Sequence, residues 1–140
     1  MYSSILVPVD LEEPSSWSRS VPTALALARC FQARLTMTTI VEDRVAARDA
    51  QWSAIGYREL LATADARLVL LADELRGDLL METRGGTGGV AGGILAVADE
   101  LEADLIVLAS HRPEMRDWLI GANAARVVRH ARCSVLVVRE

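Results

Sequence analysis

Five short apolar runs, alternating with stretches of helical period, leave this chain few folds to choose from. SILVPV (Ser4–Val9), RLTMTTIV (Arg34–Val41), DLIVLA (Asp104–Ala109) and SVLVVR (Ser134–Arg139) are rich in β-branched residues and read as strands. Leu79–Thr83 is a shorter and weaker run, third in order. After the first run comes LEEPSS, where Ser15 or Ser16 is placed to cap a helix with Trp17, Val21, Ala24, Leu25 and Ala28 on one face. Pro22 is awkward inside that helix and marks its first turn. The polar stretch EDRVAARDAQ leads to a second helix with Ile55, Leu61, Ala64, Leu68, Leu71 and Leu75 on its stripe. Ile94, Leu95, Ala98 and Leu101 make the buried face of the third, and a last helix is expected near Asn123–His130. Strands that alternate with helices specify a three-layer, Rossmann-like α/β domain around a five-stranded parallel sheet. Right-handed crossovers leave few windings open. With no internal repeat and no low-complexity tail, residues 1–140 are expected to form one domain.

Composition excludes several classes of function. The chain is 51% hydrophobic and 24% charged, ordinary for a soluble protein, and only 4% aromatic, so aliphatic packing must fill the core. No apolar run is long enough for a membrane span, and MYSSILVPVD is not a signal peptide, so a cytoplasmic protein without membrane insertion is expected. A net charge of −4 without a basic run argues against nucleic acid. All fifteen basic residues are Arg, which rules out a Walker A lysine and Schiff-base chemistry. Cys30 and Cys133 lie far apart, and with two His and no ligand cluster no metal site is expected. Both thiols read as small buried apolar groups, and Met37 and Met81 as core fillers.

The stretch TRGGTGGVAGGIL, residues 83–95, looks like a phosphate cradle and contains Gly86-x-Gly88-x-x-Ala91. A dinucleotide fingerprint belongs after the first strand of its unit, with an acid at the end of the next strand. Here it follows the third run, and the next ends in Leu108-Ala109-Ser110. The glycines therefore read as a flexible loop after a short strand, binding nothing.

The last third of the chain, DLIVLASHRPEMRDWLIGANAARVVRHARCSVLVVR, resembles the C-terminal half of universal stress protein (UspA-like) domains. ILVPVD resembles that family's first strand with its terminal Asp. SHRP followed by LIGANAARVVRHA resembles a subgroup with His-Arg-Pro and Gly-x-Asn in place of the common glycines. The resemblance implies an adenine nucleotide alpha hydrolase-like sheet of order 3-2-1-4-5, and ATP as ligand in many members but not all. In such a sheet the crevice lies between the carboxyl ends of strands 1 and 4. Pro8, Val9 and Asp10 then stand on one side, and Ala109, Ser110, His111 and Arg112 on the other. By resemblance, Asp10 and its neighbours meet the adenine and ribose, Val41 lies near the base, and the loop after strand 4 holds the phosphates. The implied ligand is ATP, with or without Mg2+.

That phosphate loop departs from the family pattern of Gly, two residues, Gly, nine residues, Gly, then Ser or Thr. Gly121 matches the last Gly, and Ala122 stands at the hydroxyl position. Counting back nine residues puts His111 at the second Gly and Leu108 at the first; one deletion aligns Ala109 with the first instead. Arg112 offers a forked cation where glycine amides are missing. Gly121, Ala122 and Asn123 lead into the last helix, whose free N–H groups suit an anion.

Each residue also has a plainer role. Asp10 can bond turn amides, Asn123 can cap the helix, His111 can bond backbone, and Arg112 can be solvated. Arg129 and His130 complement the helix dipole, and Trp118 and Leu119 pack under the loop. Ser110 beside His111 makes no G-x-S-x-G elbow, so efficient catalysis is not expected, slow ATP hydrolysis aside. Three functions compete: an ATP-binding regulator of a stress response, an interaction module with a decayed nucleotide site, and a flavin domain of similar winding. The fifth run is an apolar edge, Val135, Leu136, Val137 and Val138. The resemblance implies that it pairs across a two-fold axis to make a homodimer, with a protein partner unidentified.

Overall fold

The sheet is parallel throughout and runs β3-β2-β1-β4-β5 in the computed structural model, which describes residues 1–42, 54–110 and 120–139. Its strands are β1 (Ser4–Pro8), β2 (Arg34–Glu42), β3 (Met81–Gly88), β4 (Leu105–Ser110) and β5 (Ser134–Arg139). The helices are α1 (Ser20–Phe31), α2 (Ala54–Leu75), α3 (Val90–Glu100) and α4 (Ala122–His130). The expected α/β class and sheet order are both found.

Period-two alternation sorts the strand residues between two apolar layers. Ile5, Val7, Leu35, Met37 and Val107 join Val21, Ala24 and Ala28 of α1 and Leu68 and Ala72 of α2 on one face. Leu6, Ile106 and Leu108 join Ile94 and Val97 of α3 and Ala124 and Val127 of α4 on the other. Central strands buried on both faces read as continuous apolar runs, which is why β1 and β4 stand out in the sequence. Met37 and Met81 are core residues as expected.

The N-terminal connection differs from expectation. Ser15 and Ser16 do not cap α1; they lie in a 3-10 turn, Pro14–Ser16, and α1 begins at Ser20 behind Arg19. Pro22 is the third residue of the helix, in the first turn where its missing N–H costs no bond. Ser16 does a different job. Its hydroxyl accepts from the Asp10 amide at 2.8 Å and donates to the Asp10 carbonyl at 3.1 Å, tying the turn to the end of β1.

The glycine stretch is the larger correction. β3 does not stop at Thr83 but pairs with β2 through Gly85↔Thr39, Gly86↔Ile40 and Gly88↔Glu42. Gly85 and Gly86 make room rather than a flexible loop, while Gly88 has open space around it and a φ of +107° that favours glycine. A Cβ at Gly86 would stand 2.6 Å from Ile40 Cδ1, and one at Gly93, in α3, 2.7 Å from Ile40 Cγ2. On the opposite face a Cβ at Gly85 would fall 2.3 Å from Asp65 Oδ1 of α2. At Gly85 and Gly86 the edge strand is squeezed between neighbouring side chains, and only a bare backbone fits there.

At the amino end of the sheet Asp104 binds β1 to β4. Its carboxylate accepts from the Ser3 amide and hydroxyl at 2.8 Å each and from the Ser4 amide at 3.0 Å. Burial alone would push this carboxyl up, but those donors outweigh it and hold it below the usual aspartate value. Cys133 is half-buried; burial first, then the charges of Asp104 and Asp99, pushes its thiol up. Cys30 is exposed on α1 rather than buried as expected.

Candidate functional site

A cleft of about 290 Å³ opens at the carboxyl end of the sheet, where the winding reverses between β1 and β4. Of the residues singled out in the sequence, Pro8, Val9, Asp10, Ala109, Ser110, Gly121, Ala122 and Asn123 line it together. His111 and Arg112 lie outside the described residues, as do Trp118 and Leu119. Val41 is half-buried and is not part of the lining; its neighbours Thr39, Ile40 and Glu42 are.

Other lining residues escaped the sequence reading. Glu13 and Ser16 enter from the 3-10 turn, Val90 and Ile94 from the start of α3, and Leu108 and Ala124 from the core beneath. The start of α3 reaches the cleft because Gly86 and Gly93 let that helix settle against β2. The glycines of this stretch therefore shape the cleft without lining it, while Val90 and Ile94 between and after them do line it.

Asp10 is exposed at the end of β1, where its Oδ1 accepts from the Glu12 amide at 3.0 Å in an Asx turn. That bond fixes the direction of the carboxylate and leaves lone pairs for a ligand hydroxyl. Across the cleft, α4 begins at Ala122, with Gly121 as N-cap and no side-chain cap. Asn123 is thus the second residue of the helix and not its cap. The first helical bond runs from the Ala125 amide to the Gly121 carbonyl at 2.9 Å, so the amides of Ala122, Asn123 and Ala124 lie ahead of it. A first turn that no side chain caps among the described residues, at a cleft mouth, is suited to an anion. The Gly121 amide donates to Ser110 Oγ over a long 3.4 Å, joining β4 to the α4 entry. Among the described residues no group of three His, Cys, Asp or Glu could hold a metal ion.

Pro8 lies where the two ladders of β1 differ in length. β1 pairs with β2 over five residues, Ser4↔Arg34 to Pro8↔Thr38, but with β4 only at Ile5↔Leu105 and Leu6↔Ile106. Thr38, opposite Pro8, buries a hydroxyl with no partner among the described residues, and nothing in the structure accounts for it.

At the far edge β5 pairs with β4 alone among the strands. Val138 packs on the first core and Val135 on the second, while Leu136 is 38% exposed. Among the described residues no helix is long and apolar enough to cross a membrane.

The winding and the cleft together define a doubly wound α/β protein with a crevice at the topological switch point. Residues 1–139 match the model of the universal stress protein family, to which the chain belongs. Universal stress protein G of Salmonella typhimurium is 31% identical over 144 residues, covering 99% of this chain and 100% of that protein. A universal stress protein solved in complex with cAMP is 24% identical, with a TM-score of 0.64 over 99% of this chain and 97% of that one. A universal stress protein family member from Arabidopsis thaliana, solved with AMP bound, is 15% identical, with a TM-score of 0.62 over 99% and 92%.

Proposed function

We propose that this chain is a nucleotide-dependent regulator of a stress response that binds ATP in the β1–β4 cleft without efficient catalysis. The observation that carries the reading is the facing of Asp10 and the uncapped start of α4 across one crevice. Asp10 accepts a ribose hydroxyl, Thr39 and Ile40 flank the base, and the amides at Ala122 and Asn123 take phosphate oxygens. ATP brings its own Mg2+ where one is bound. His111 and Arg112 belong to the same reading through the His-Arg-Pro, Gly-x-Asn resemblance of the chain. The cAMP and AMP complexes of two structural relatives support an adenine nucleotide as the ligand class. Ser110 accepts a bond from the Gly121 amide, a role in holding the loop rather than in attack. The exposed Leu136 and the open edge of β5 support a homodimer built on that strand.

Equilibrium binding tests the reading. ATP should bind better than GTP, and Asp10→Ala should weaken ATP roughly tenfold or more, the effect of losing one hydrogen bond to a charged group. No adenine nucleotide binding at millimolar concentration would overturn it. Ala122 at the helix mouth, where a hydroxyl is expected, favours a second reading in that event: a dimeric interaction module whose nucleotide site has decayed.

A further inference from the structure

Pro8 is the last residue of β1, a strand with neighbours on both sides, and a proline there removes a ladder donor. Which neighbour loses the donor follows from the register. The Val9 amide donates to the Thr38 carbonyl of β2 at 2.8 Å, while the Ser4 carbonyl accepts from the Asp104 amide, on the β4 side, at 2.9 Å. Backbone polar groups of successive strand residues turn to opposite neighbours. Odd positions of β1 therefore face β2, and even positions, Pro8 among them, face β4. The missing N–H falls on the one ladder that stops early, after Leu6↔Ile106. Beyond that point no further β1–β4 pair follows, and Pro8 and Leu108 are both among the residues that line the cleft.

We infer that Pro8 is a positioning residue that keeps the cleft open by denying β4 a hydrogen-bond donor at the point where the two strands part. Its pyrrolidine ring cannot zip the ladder one step further, so the crevice needs no ligand to wedge it apart. The space is prepared in advance, and a ligand entering it breaks no strand pairing. This deepens the nucleotide-binding reading, on which its affinity arm rests.

Pro8→Ala and the more strand-prone Pro8→Val both restore an N–H at this position. Residue-resolved hydrogen exchange on the full-length protein should find the new amide protected, as a ladder donor is. Affinity for AMP and ATP should fall about fivefold, because the ligand must now break one net hydrogen bond to enter. The thermal midpoint should hold or rise, which separates closure of the cleft from damage to the fold. An amide at position 8 exchanging as fast as in an unstructured peptide, in whichever variant folds, would overturn the inference. So would a protected amide with unchanged affinity. If the natural chain binds neither nucleotide, the proposed function fails, while amide exchange still decides the role of Pro8.

Discussion

Two glycine-bearing regions of this molecule use the same residue for opposite ends. In β3 and α3 glycine is an absence that neighbours occupy: the Ile40 side chain lies where a Cβ at Gly86 or Gly93 would go. At the entry to α4, Gly121 sits half-buried at a cleft, with φ −57°, a value open to any residue. One glycine serves packing, the other leaves backbone amides accessible. In the dense run that resembles a phosphate cradle Gly85, Gly86 and Gly93 are of the first kind, and the glycine at the candidate site stands alone in its loop.

Substitutions can break this contrast or sharpen it. Gly93→Val should destabilise the fold by about 1–3 kcal/mol by overpacking, since the Thr87 carbonyl, 3.1 Å from the added Cβ, cannot yield as a side chain end can. Gly92→Ala, one residue earlier on the same helix, meets nothing within 4 Å and should stabilise by about 1 kcal/mol through helix propensity. Chemical denaturation of the two variants decides whether room or flexibility is the reason for these glycines; equal losses in both would favour flexibility. Gly121→Ala should cost only about 0.5 kcal/mol as a change of N-cap, yet weaken ATP binding measurably. A large loss of stability there, with affinity retained, would erase the contrast.

The sequence made these strands legible because β1, β4 and β5 carry unbroken apolar runs, and the helices because their stripes recur at helical spacing. It hid the length of β3. Glycine has low strand propensity and no side chain to alternate, so Gly85 to Gly88 carry no strand signal even while fully paired with β2. Asp10 could be placed because a winding rule locates a crevice at the strand ends once the family resemblance supplies the sheet order. Gly121 could be placed because it matches the last glycine of that family's phosphate-loop pattern. Glu13 and Ser16 could not, since a short 3-10 turn brings them in and no periodicity marks it. Val41 was expected near the base, but its neighbours Thr39, Ile40 and Glu42 line the cleft instead. Asn123 shows the same one-residue sensitivity at a helix start.

The carboxylate of Asp104 gives the molecule a point of failure in acid. Its folded value lies below that of an unfolded aspartate, so the clamp contributes fully above the ordinary titration, near pH 4, and is lost as pH falls through the lowered value. The thermal midpoints of the natural chain and of Asp104→Asn should therefore differ at neutral pH and converge in acid; a constant gap would show that the charge is not what holds. The β1–β4 seam carries only two strand pairs of its own, and protonating one side chain takes away its strongest tie. Acid unfolding should begin by parting the sheet between these two strands, at the end opposite the cleft.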